Sequence, residues 1–126
     1  MILLDSSVLI ELFRSTNKEN TLFYKLASTE NDFAISVITY YEIFIGSNEK
    51  QETFWNKLFE SVEILNFDFS SSFQATKIYK ELKKTNKMID LADILIAATS
   101  ISNNILLATL NLNHFERIKD LEIMKI

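Results

Sequence analysis

Cysteine and proline are absent from this 126-residue chain, and glycine and histidine occur once each, as Gly46 and His114. Each shortage removes a class of chemistry. One glycine cannot build a P-loop or the G-x-G-x-x-G turn that cradles a dinucleotide. Without cysteine there is no disulfide, no thiol nucleophile and no cysteine-rich zinc site. A lone histidine cannot form a histidine-based metal cluster. The apolar runs are only a few residues long, so no membrane span is expected. The opening Met1-Ile2-Leu3-Leu4-Asp5 lacks the basic start of a signal peptide. A cytoplasmic protein without membrane association is the expectation. Its chemistry must come mainly from carboxylates, hydroxyls, amides and Lys or Arg.

What is present is enough for a folded core. Hydrophobic residues make up 48% and charged residues 24%, which excludes a disordered chain. No linker, repeat or shift of composition divides residues 1–126, so a single domain is expected. The net charge of −4 does not advertise nucleic-acid binding. It does not forbid it, because a bound cation reverses the sign locally.

Short apolar runs alternate with helical spacing. Ile2–Leu4, Phe33–Ser36, Glu63–Phe67 and Ile105–Thr109 read as strands, with a last one near Glu122–Lys125. A helix follows Asp5-Ser6-Ser7, and a second is expected over Asn17–Ser28. Thr39–Ile45 reads as a helix stopped by Gly46. Trp55, Leu58, Phe59 and Val62 mark one helical face, as do Ala75, Ile78, Tyr79 and Leu82. Asp90 opens a central helix to about Ser102, and a short helix is expected around Asn113–Ile118. Together these predict an α/β fold of three layers, with a parallel sheet of four to five short strands between helices. Sites in such folds lie beyond the carboxyl ends of the strands.

Asp5 stands at the end of the first strand, where it serves as a helix cap or a ligand. Asn111, two residues past Thr109, has the same two readings. Asp90 and Asp93 share a face at a helix start. Glu42 sits among Tyr40, Tyr41, Ile43 and Phe44, where a carboxylate is either exposed or costly to bury alone. In the expected fold, Asp5, Glu42 and Asp93 converge, with Asp90 and Asn111 close by. Packed carboxylates repel unless a cation neutralises them, and hard oxygen donors select Mg2+ or Mn2+. Such a site suits attack on a phosphodiester. An Asp-x-Asp phosphatase does not fit, because Ser7 stands where the second Asp belongs. A phosphoacceptor domain lacks its late lysine, since Leu110 and Asn111 follow Thr109.

The residues resemble a family. Ile2-Leu3-Leu4-Asp5-Ser6-Ser7 is similar to the opening motif of PIN-domain nucleases. Thr39-Tyr40-Tyr41-Glu42 resembles their second motif. Asp93-Ile94-Leu95-Ile96-Ala97-Ala98 resembles the third, and Thr109-Leu110-Asn111 with His114-Phe115 the fourth. The four stand in order over nearly the whole chain, and the later two look most like VapC toxins of type II toxin–antitoxin pairs. The resemblance implies an endoribonuclease dependent on Mg2+ or Mn2+. It implies an RNA substrate, inhibition by a VapB-type antitoxin, a homodimer, and operator DNA bound only through the antitoxin. By position, Asp5, Glu42 and Asp93 would hold metal and, with Asn111, carry catalysis. Asn111 replaces the Asp of many relatives, Ser7 their Asn, and Asp90 a position associated with Gly. Arg14, Ser7 and Thr109 would touch substrate. Lys83, Lys84 and Lys87 are phosphate contacts or a solvated face. Tyr40, Tyr41 and Phe44 stack bases or pack in the core. His114 is expected to be structural, and Trp55 to be core or dimer contact. The alternative to an enzyme is a catalytically weak PIN-like binding module acting through its antitoxin.

Overall fold

The computed structural model describes residues 1–125. Among them β1 (Ile2–Leu4), β2 (Phe33–Ser36), β3 (Glu63–Leu65) and β4 (Leu106–Ala108) form one sheet in the order β3-β2-β1-β4. All three pairings are parallel, with Ile2 beside Phe33 and Leu106. Helices α1 (Ser6–Arg14), α2 (Leu22–Ala27), α3 (Val37–Ile45) and α4 (Glu49–Phe59) occupy the first half. Helices α5 (Phe69–Lys84), α6 (Leu91–Asn103) and α7 (Leu112–Phe115) occupy the second.

The period of a strand divides the core in two. Successive side chains point to opposite faces. Leu3 therefore packs with Ile78, Leu82, Ile96, Leu107 and Phe115, under α5, α6 and α7. Its neighbours Ile2 and Leu4 pack with Val8, Leu9, Leu26, Trp55 and Phe59, under α1, α2 and α4. Both faces of β1 are covered, which is why it is apolar throughout. The chain walks outward from β1 to β3, and α5 and α6 then carry it back across to β4. The connections leaving β1 and β4 diverge, which opens a crevice at their carboxyl ends.

Three expectations change in detail. The helix over Asn17–Ser28 divides into a 3-10 turn, Lys18–Asn20, and α2. Thr21 between them is extended, and its side chain accepts the Tyr24 N–H to start α2 afresh. The last strand shrinks to one parallel bridge, Leu107 with Ile123. Leu107 N–H donates to Glu122 O at 2.9 Å, and Met124 N–H to Leu107 O at 2.7 Å. Gly46 does end α3, but with φ −97°, a conformation open to any residue. A Cβ there would meet nothing closer than 3.8 Å. The left-handed positions fall to Asn86 and Asn104, at φ 57° and 60°. Asparagine does here what glycine does in other chains. Among the described residues no helix is long and apolar enough to cross a membrane.

Candidate active site

The residues before the helices fall into two groups. Thr21, Ser36, Asn48 and Asp68 each cap the helix that follows, accepting a backbone N–H of its first turn. Asp5, Asp90 and Asn111 occupy the same position before α1, α6 and α7, and none of them makes a side-chain cap bond. All three residues are of types that cap well. Their side chains are directed instead into the crevice.

Asp5 is 2% exposed. Its Oδ2 accepts the Ser7 hydroxyl at 2.7 Å and the Thr109 hydroxyl at 2.8 Å. Each hydroxyl in turn accepts a backbone N–H from the segment after β4. Leu110 N–H reaches Ser7 Oγ at 3.0 Å, and Asn111 N–H reaches Thr109 Oγ1 at 2.9 Å. The end of β1 is thus tied to the end of β4 through one carboxylate oxygen. The other oxygen, Oδ1, is buried and has no partner. Ser7 and Thr109, expected to face substrate, spend their protons on Asp5.

Glu42 lies on α3, half-buried, with Oε1 also enclosed and unpartnered. Burial, then the charges of Asp5 and Asp93, push its carboxyl above the ordinary carboxylate range; the Ser6 hydroxyl pulls the other way. Asp93, in the first turn of α6, is raised mainly by burial and further by Asp5 and Asp90, while His114 opposes the shift. The three carboxylates expected to converge therefore feel one another. Thr39, one turn before Glu42, also keeps a buried hydroxyl without a partner. Its spacing of three from Glu42 was the available signal for it.

The fourth strand's loop brings two more groups. Asn111 Nδ2 lies 2.9 Å from His114 Nδ1, which lies 3.0 Å from Asp93 Oδ2. Donor atoms of Asp90, Asp93 and His114 all fall within 4.8 Å of one another. Asp90 is thus no side-chain cap, and His114 stands at the site itself. The sequence signal was its place three residues after Asn111, at the start of a helix. Arg14, exposed at the end of α1, shares a groove with Ser6, Ile10, Phe13, Glu42 and Trp55. Trp55 is core, with its ring 5.2 Å from Phe13 and 5.8 Å from Phe59. Tyr40 stacks on Phe44 at 4.3 Å, and Tyr41 is exposed. Lys83, Lys84 and Lys87 are solvated, Lys83 lying over the Tyr79 ring.

Chemically the crevice is a set of hard oxygen donors with too few hydrogens to satisfy them. An enclosed carboxylate oxygen without a donor is costly unless a cation completes it. The residues fit a hard divalent ion.

A parallel α/β sheet with an acidic crevice at its switch point is a class of fold and site, and sequence comparison gives it a family. The PIN domain matches residues 2–121, and the chain belongs to that family, among the VapC ribonucleases. It is 40% identical over 120 residues to ribonuclease VapC1 of Methanocaldococcus jannaschii, covering 94% of this chain and 82% of that one. Its fold superposes on a chain of the VapBC-1 structure from nontypeable Haemophilus influenzae, with TM-score 0.85, 28% identity, and 99% and 98% of the two chains covered. VapBC2 from Rickettsia felis, bound to a DNA fragment from its promoter, gives TM-score 0.84 at 26% identity, over 98% of each chain.

Proposed function

We propose that this protein is an endoribonuclease dependent on Mg2+ or Mn2+, the toxin of a pair neutralised by a VapB-type antitoxin. The observation that carries the reading is the pair of buried, unpartnered carboxylate oxygens, Asp5 Oδ1 and Glu42 Oε1, in a crevice shared with Asp93. The relatives named ribonuclease supply the reaction class.

Asp5 and Asp93 would hold the ion, with Glu42 joining directly or through water. A bound divalent cation supplies positive charge beside the scissile phosphate and acidifies a water molecule. The chain's own residues do the rest. Ser7 and Thr109 fix Asp5 by saturating Oδ2, which leaves Oδ1 to face the ion. Asn111, a neutral amide, orients a water or a phosphate oxygen without adding charge. Arg14 holds the RNA backbone without reading sequence.

The groove beside Glu42, walled by Ile10, Phe13 and Trp55, would seat an antitoxin segment whose cation reaches the carboxylates. Operator DNA would then be bound only through that antitoxin. A second copy of the chain would cover Phe69 and Phe73, which are exposed one turn apart on α5. A cytoplasmic location suits such partners.

The test is cleavage of total RNA by wild type and by Asp5→Asn and Asp93→Asn. Cutting is expected only in wild type with Mg2+ or Mn2+, and both variants keep the wild-type circular dichroism. Undiminished cutting in EDTA, or by either folded variant, overturns the reading.

A further inference from the structure

Two residues at the crevice have no assigned role, Asp90 and His114. The side chain of His114 is 34% exposed and that of Asp93 15%. One ring nitrogen, Nδ1, faces both Asn111 Nδ2 at 2.9 Å and Asp93 Oδ2 at 3.0 Å. It offers a proton to the carboxylate or a lone pair to the amide, not both. With the Asn111 amide turned as it is, one of the two contacts is unmet.

The spacing also fits a different arrangement. Neighbouring donors around an octahedral ion with bonds of about 2.1 Å lie about 3 Å apart. Nδ1 and Asp93 Oδ2 have that separation, and an oxygen of Asp90 completes a group within 4.8 Å. A separate observation points to an ion in the same crevice. Asp5, 2% exposed, keeps Oδ1 unpartnered, and its charge bears on Asp93.

We infer that His114 is a nitrogen ligand of the cation held by Asp93, with Asp90 beside it, and that it biases the site from Mg2+ toward Mn2+. Mg2+ takes oxygen donors and water and dehydrates reluctantly, whereas Mn2+, which also takes oxygen donors, is a first-row transition ion and accepts a nitrogen ligand among them. This inference rests on the metal-dependent reading above. It adds that this chain does not treat the two ions alike, although its remaining donors are all oxygen.

The sequence makes the test clean, because His114 is the chain's single histidine. Tag-free protein is loaded with Mn2+ and examined by pulsed electron paramagnetic resonance. The expected result is the nitrogen modulation of one imidazole, lost in His114→Asp while Mn2+ still binds. Competition titrations should show the ratio of Mn2+ to Mg2+ affinity falling about tenfold or more in that variant. Bound Mn2+ without nitrogen modulation in wild type overturns the inference and spares the metal-dependent reading. So does modulation that survives His114→Asp. Wild-type protein that binds no Mn2+ overturns the metal-dependent reading itself. The wild-type spectrum decides the matter even if the variant fails to fold.

Discussion

At the scale of single residues, Asp5 and Glu42 differ in how their charge is managed. Asp5 gives one oxygen to two hydroxyls and keeps the other bare. Thr109→Val removes one of the two donors with little change of shape. The cost expected is about 1–3 kcal/mol, as for other buried polar groups that lose a partner. Urea denaturation in EDTA measures it, and an unchanged midpoint would show that Ser7 alone suffices. Glu42 is held above the ordinary carboxylate range by burial and by its acidic neighbours. A carboxyl whose folded-state pKa exceeds its unfolded one supports the fold while protonated. That support is lost as pH rises through the folded-state value. Glu42→Gln should therefore raise the Tm of the metal-free protein more at pH 8 than at pH 4.5. Calorimetry in EDTA checks this, and equal shifts at both pH values would contradict it.

At the scale of elements, the helices divide by what their first residue does. Of the four helices with working caps, α2, α4 and α5 build the scaffold and α3 carries Glu42 to the crevice. The three whose cap residues leave the backbone, α1, α6 and α7, open onto the crevice. The lost caps cost stability locally, each on the order of 1 kcal/mol. α6 is secured at its other end. Asn104 turns left-handed at φ 60°, and its N–H bonds Ser100 O and Ile101 O. Asn104→Val should cost about 1–2 kcal/mol, because a branched side chain resists that region. Asn104→Gly should cost nothing. Both should cleave RNA like wild type below their unfolding transitions, since residue 104 lies at the far end of α6 from Asp93.

At the scale of the molecule, the sheet order decides where chemistry is placed. β1 lies between β2 and β4, so Asp5 meets Thr109 across 104 positions of sequence. The same order leaves α5 on an outer face with Phe69 86% and Phe73 56% exposed. These two side chains form the surface proposed above for a second copy of the chain. A Phe69→Lys/Phe73→Lys double variant should raise the dissociation constant of the proposed dimer at least about tenfold. Light scattering across a dilution series measures it, and an unaltered dimer would place the interface elsewhere.

Much of this was legible in the sequence. The four short strands, the helices after Asp5 and Asp90, and the α/β layering follow from periodicity, which is a local property. The oxygen-only character expected of the site followed from what the chain lacks. Other features were not local. Asp5, Asp90 and Asn111 have the sequence of ordinary caps, and only the packed crevice shows that their side chains leave the helix ends. The strand expected near Glu122–Lys125 carried a strand's residues but found just Leu107 to pair with. His114 was expected to be structural, and its place beside Asp93 is not a local property. It reaches Asp93, 21 positions away, because β4 and α7 return the chain to the start of α6. Residue type and spacing determined which groups the chain could offer. Strand order determined which of them share one poorly solvated crevice, and it is that sharing that raises the carboxyls of Glu42 and Asp93.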